Sequence, residues 1–156
     1  MPDFSKLLTR TAGVAKPPKV LVPGNYPGII KGHEILPGPP GKDYDTIIRF
    51  PVGLTGWCDN ATEDDKVQET GEGASKPIDL SKRQLRRDFY ANTDDINSTK
   101  RLDDFIRSCG IEPAGRSYQE ILPELTGMRV TAEVQQYLNL RTNELGNQIG
   151  NLAGEK

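Results

Sequence analysis

Apolar and polar residues alternate with a period of two over much of the chain from residue 20 onward, the spacing of strands whose successive side chains point to opposite faces. In Tyr44–Phe50, Tyr44, Thr46, Ile48 and Phe50 share one face, with Asp45, Ile47 and Arg49 on the other. Upstream, Val20-Leu21-Val22-Pro23-Gly24-Asn25-Tyr26 opens the folded part. Its Pro-Gly pair is a turn signal, so Tyr26–Leu36 reads as the first strand. The proline- and glycine-rich run Leu36-Pro37-Gly38-Pro39-Pro40-Gly41 is a loop between the two. Near the other end, Met128–Tyr137 turns Val130, Ala132 and Val134 inward and Arg129, Thr131, Glu133 and Gln135 outward. A turn at Asn139–Asn143 and a return strand over Glu144–Leu152 complete a hairpin.

The period changes in two places. Leu102, Phe105, Ile106 and Cys109 recur at i, i+3, i+4 and i+7, which predicts a helix over Thr99–Cys109 with one buried face. Ser98 or Asn97 suits its N-cap, and Gly110 and Pro113 stop it. A shorter helical turn at Tyr118–Leu122 follows from Ser117 and Glu120 in capping-box spacing, and Pro123 limits it. Ahead of both lies Arg86–Ala91, read as a strand. Leu80–Arg87 starts as a helical turn capped by Asp79 in the competing reading. The order is therefore β, β, β, α, short α, β, β. It predicts a mainly β (α+β) domain, a small antiparallel OB-like barrel or open sheet with one helix inserted before the C-terminal hairpin.

Composition sets the limits of that domain. With 156 residues the chain fits one domain over residues 20–156, preceded by an extended basic arm over 1–19 that ends in Lys16-Pro17-Pro18-Lys19. Glycine and proline, 16 and 12, give loops an unusual share. No run approaches the ~18 apolar residues of a membrane helix, so no membrane partner is expected. The start lacks the apolar core of a signal peptide, which leaves the cytoplasm as the default location. From 59 to 76 the apolar pattern vanishes: between Asp59 and Glu72 six acids face one lysine. Such a stretch buries too little to order itself and predicts a long surface loop.

Few residues carry recognisable chemistry. Phosphate-binding glycine loops, nucleophile elbows and zinc spacings are absent, and Cys58 and Cys109 stand far apart with a single His33, so no catalytic group, metal or cofactor is expected. The informative run is Lys82-Arg83-Gln84-Leu85-Arg86-Arg87-Asp88-Phe89-Tyr90. Cations neutralise phosphates and aromatic rings offer stacking faces, the two things a single-stranded nucleic acid requires. Arg49, Arg129 and Tyr137 fall on outward or rim positions of strands, and Trp57 follows the second strand beside glycines. The candidate nucleic-acid-binding set is thus Arg49, Trp57, Lys82, Arg83, Arg86, Arg87, Tyr90, Arg129 and Tyr137. In the competing reading these cations pair with the acidic loop and the rings close the core.

Several stretches resemble small bacteriophage proteins similar to single-stranded-DNA-binding accessory proteins of replication and recombination. They are Leu21–Tyr26, Ile78–Tyr90, Arg101–Ile106 with Cys109-Gly110-Ile111, Gly115-Arg116-Ser117-Tyr118, and Gly127–Val134. The resemblance implies an oligonucleotide-binding β-barrel, no cofactor and single-stranded DNA as the partner. The alternative is a virion structural protein, a capsid-decorating or tail-associated subunit, that uses residues 1–19 to reach other subunits or a second copy of itself.

Overall fold

The computed structural model describes residue 8, residues 18–69 and residues 74–155. The arm expected over 1–19 thus falls outside the described residues except for Leu8, Pro18 and Lys19. Among the described residues eight strands form: β1 (Gly24–Ile30), β2 (Glu34–Pro37), β3 (Thr46–Leu54), β4 (Val67–Glu69), β5 (Ser75–Pro77), β6 (Leu85–Ala91), β7 (Arg129–Asn139) and β8 (Glu144–Gly154). Two helices, α1 (Lys100–Ser108) and α2 (Tyr118–Ile121), lie between β6 and β7. The domain is mainly β, antiparallel, with the helical segment ahead of the C-terminal hairpin, as the period of the sequence predicts.

The main sheet runs β2-β3-β1-β7-β8, with β6 on the other edge of β3. The single strand expected over Tyr26–Leu36 is two strands placed end to end along β3. Ile30 of β1 pairs with Val52, and Glu34 of β2 pairs with Arg49. The break faces Phe50 and Pro51, and the Lys31 N–H donates to the Pro51 carbonyl at 2.9 Å. Pro51 has no N–H to return, so the ladder opens there and the strand bends. Strands β6 and β8 come close, but among the described residues no ladder joins them. The sheet is therefore an open, curled one.

Inside the curl, Phe50 packs against Phe89 and Phe105 with ring centroids 5.8 and 5.5 Å away. The stripe predicted for α1 supplies Leu102, Phe105 and Ile106 to this core, and Ile121, Leu122 and Leu125 close it beneath α2. The cap of the helical segment sits a turn earlier than the sequence implies. Asp95, rather than Ser98 or Asn97, accepts from the Asn97 N–H and opens a 3-10 turn over Ile96–Thr99 that runs into α1. Ser117 caps α2 through the Glu120 N–H, as its spacing predicts. Tyr26 is fully buried yet satisfied, its hydroxyl donating to the Val22 carbonyl at 2.6 Å.

The acidic stretch differs from expectation. Thr62 and Asp65 bond each other's backbone and side chains, a 3-10 turn spans Asp64–Lys66, and β4 pairs with β5 as a short ribbon. Trp57, Ala61 and Ile78 pack on the core and pin both ends of the ribbon. Trp57 and Ile78, which flank the segment, supply burial that its own composition lacks.

Helix α1 meets the sheet at Gly154, whose N–H donates to the Ser108 hydroxyl at 2.9 Å. A Cβ at this position would strike the Ser108 carbonyl oxygen and lie 2.7 Å from the Cys109 Cα, both backbone atoms. Gly154→Ala is expected to lower unfolding stability by about 1–3 kcal/mol, as overpacking does. A urea melt checks it: an unchanged midpoint would mean that α1 does not seat here.

Candidate nucleic-acid interface

Strand β6 alternates as the sequence requires: Phe89 and Ala91 turn into the core, while Arg86 and Tyr90 are exposed. Its register on β3 pairs Arg49 with Asp88, Pro51 with Arg86 and Ile47 with Tyr90, which gathers these side chains on the outer face of the sheet. Just upstream, Asp79 accepts from the Ser81 hydroxyl and N–H, and these bonds hold its carboxyl below the usual range. The cap starts a 3-10 turn over Leu80–Lys82 that delivers Arg83 to the start of β6. Both readings of this stretch thus apply in succession, a helical turn and then a strand.

A groove of about 760 Å³ lies between the β3–β6 face and the β7–β8 hairpin. Arg49, Arg83, Arg86, Arg87, Tyr90 and Tyr137 line it, joined by Lys31 from the break between β1 and β2. The amide side chains of Gln84 and Gln148 add hydrogen-bonding capacity, whereas that of Asn147 is engaged by the Leu21 backbone, accepting from its N–H at 2.7 Å and donating to its carbonyl at 3.0 Å. Five cations border the groove against the two carboxylates Glu34 and Asp88, a local surplus of three positive charges in a chain whose total is -2. Charge concentrated in a cleft focuses the field on an anionic ligand whatever the total charge. Among the described residues no acid of the 59–76 stretch borders it.

The cations differ in how they are held. Arg49 forks onto Asp88, with Nε to Oδ1 at 2.8 Å and Nη2 to Oδ2 at 3.1 Å, so its charge is largely answered within the fold. Arg86 is 61% exposed and its Nε stands 4.0 Å from the same carboxylate, a marginal contact. Arg83 is partly desolvated, which pulls its guanidinium below its ordinary value. Arg87 lies over the Phe89 ring, its guanidinium carbon 4.9 Å from the centroid, and its buried Nε lacks a hydrogen-bond partner. Among the described residues no carboxylate forms an ion pair with Arg83 or Arg87. The competing reading of the sequence pairs the cations with the acidic stretch; among the described residues Arg49 is instead answered by Asp88 of β6, and Arg83 and Arg87 form no such pair.

Two rings stand at the groove. Tyr90 is 51% exposed with its ring 4.6 Å from that of Tyr44, and Tyr137 is 42% exposed. Across the hairpin Tyr137 faces Gly146, where a Cβ would come within 2.7 Å of its Cζ, so the glycine leaves room for the ring to lie against the strand.

Trp57, Lys82 and Arg129 lie outside the groove. Trp57 is half-buried on the core, its ring 6.0 Å from that of Tyr26, because the chain after β3 folds back over the sheet there. Lys82 ends the 3-10 turn at the surface, and Arg129 sits at the start of β7 in register with Ile29. Lys31, Gln84, Asn147 and Gln148 are groove residues that the sequence did not single out. Their one signal is a polar position in or beside a strand, which gains meaning only when the topology brings the hairpin to β6. Among the described residues no three His, Cys, Asp or Glu side chains gather as metal ligands. Neither a family model nor a curated protein matches this chain.

Proposed function

We propose that the chain is a non-catalytic single-stranded nucleic-acid-binding protein, with single-stranded DNA as its ligand, acting as an accessory in bacteriophage replication or recombination. The observation that carries this reading is the groove, where Arg83 and Arg87, without an ion pair among the described residues, and two accessible tyrosine rings converge, while the described acids of the 59–76 stretch lie elsewhere. Backbone phosphates meet the arginines, and unstacked bases meet the rings. A duplex, its bases already stacked on one another, has no use for the rings. We read the curled sheet as an OB-type arrangement: β1 and β2 act as one bent first strand, and β3 and β6 as the second and third, whose face carries oligonucleotides in that fold. The phage assignment is supported by the sequence resemblance alone.

Fluorescence anisotropy of a labelled oligothymidylate, titrated across salt concentrations, tests the proposal. Binding is expected to weaken steeply with salt, and duplex DNA of equal length is expected to compete poorly. Equal competition by duplex, or no binding at low salt, overturns it. Trp57, being outside the groove, is expected to keep its emission on binding and to report unfolding instead.

The Arg49–Asp88 fork gives a separate handle. Asp88→Asn removes the carboxylate that competes with phosphate for Arg49 and raises the groove's surplus by one charge. Oligonucleotide affinity is expected to rise roughly 3–10-fold at low salt, while stability falls by about 1 kcal/mol for the lost charged hydrogen bond. Tighter binding by a less stable protein is an outcome that general damage does not produce. Weaker binding would place Asp88 among the ligand contacts.

A further inference from the structure

We infer that the bound strand continues past the groove, across the seam between β6 and β8, to a second phosphate position held by Arg87 and Arg101. This extends the proposed nucleic-acid reading and rests on it. Arg87 borders the main groove and also a cleft of about 400 Å³ enclosed by β6, β8 and α1. Its Nε is buried and without a hydrogen-bond partner among the described residues, so no internal acceptor fixes this guanidinium at the cleft. Arg101, exposed at the start of α1, borders the same cleft. Among the described residues Arg101 forms no ion pair.

The one carboxylate at the cleft, Asp104, is already engaged by Lys100 at 3.0 Å and Arg107 at 3.5 Å. The balance of the cleft is therefore positive. Strands β6 and β8 share no ladder, so the seam also leaves edge backbone groups of both strands for a ligand. Asn151, exposed on β8, adds a side-chain amide. A guanidinium shared between groove and cleft is what a continuous polyanion requires: successive phosphodiesters bind on either side of Arg87, the farther one reaching Arg101.

The inference predicts a dependence on ligand length. Arg101→Gln leaves the main groove intact, and the exposed site tolerates the change. Oligothymidylates of roughly 5 and 15 nucleotides lie near the two ends of the range of about 4–16 nucleotides per site seen for single-strand-binding modules. With the longer oligomer, Arg101→Gln is expected to weaken binding about 3–10-fold and to make the salt slope shallower by about 0.7, one phosphate contact. With the shorter one, affinity is expected to hold within about 1.5-fold, and Arg101→Lys is expected to recover most of the loss, since Lys retains the charge. No loss with the longer oligomer, or an equal loss with both, overturns the second position and leaves the groove standing. If the unaltered protein binds neither oligomer, the nucleic-acid reading itself falls.

Discussion

Alanine at both Arg86 and Arg87 is expected to weaken oligonucleotide binding by about 10–100-fold at low salt and to make the salt slope shallower by about 1.4, two phosphate contacts at roughly 0.7 each. The two side chains reach the groove from opposite faces of β6, one exposed and one leaning on Phe89. They therefore carry different risks for the fold. Arg86→Ala removes a surface side chain and should hold stability within about 0.5 kcal/mol. Arg87→Ala also removes packing from the Phe89 ring and should cost stability as well as affinity. Lys82→Ala, outside the groove, is the control and is expected to change little. An unchanged slope in the double variant would detach the basic run from phosphate recognition.

The tyrosines make the complementary case. Replacing Tyr90 and Tyr137 together by alanine is expected to lower affinity strongly, since base–aromatic stacking contributes about 1–3 kcal/mol per base. The salt slope should stay as it is, because no charge is lost. Phenylalanine at both positions keeps the stacking face and is expected to bind nearly as tightly as the parent chain. Charge and stacking thus separate into two readouts, slope and salt-independent affinity. Loss of slope in the alanine pair would mean that the rings act by positioning the arginines. Tyr137→Ala alone also uncovers Gly146, so a melt should accompany the binding curve.

Strands β3, β6, β7 and β8, helix α1 and the capping box of α2 are legible because each follows from local period and chemistry. Leu102, Phe105 and Ile106 fall on one face by spacing alone, and Val130, Ala132 and Val134 alternate without interruption. The break between β1 and β2 was not legible, since its cause is Pro51 on a neighbouring strand. The ribbon at 67–77 escaped notice for a similar reason: its anchors Trp57 and Ile78 flank a segment that is polar by itself. At the site, the run from Arg83 to Tyr90 was visible as cations followed by rings. Its pairing could not be read from that run. Asp88 meets Arg49 through strand register, and the hairpin amides reach the groove through topology. Trp57 illustrates the opposite error. Its place beside glycines after the second strand puts it among the candidate binding residues, whereas the turn after β3 folds it onto Tyr26.

Photocrosslinking an oligonucleotide of 4-thiothymidine to the full chain, followed by peptide mapping, locates the strand directly. Adducts are expected on the peptides that carry Tyr90 and Tyr137, with none at Trp57. Adducts confined to the ribbon or to Trp57, with the two tyrosines untouched under saturating binding, would contradict the assignment of the β3–β6 groove.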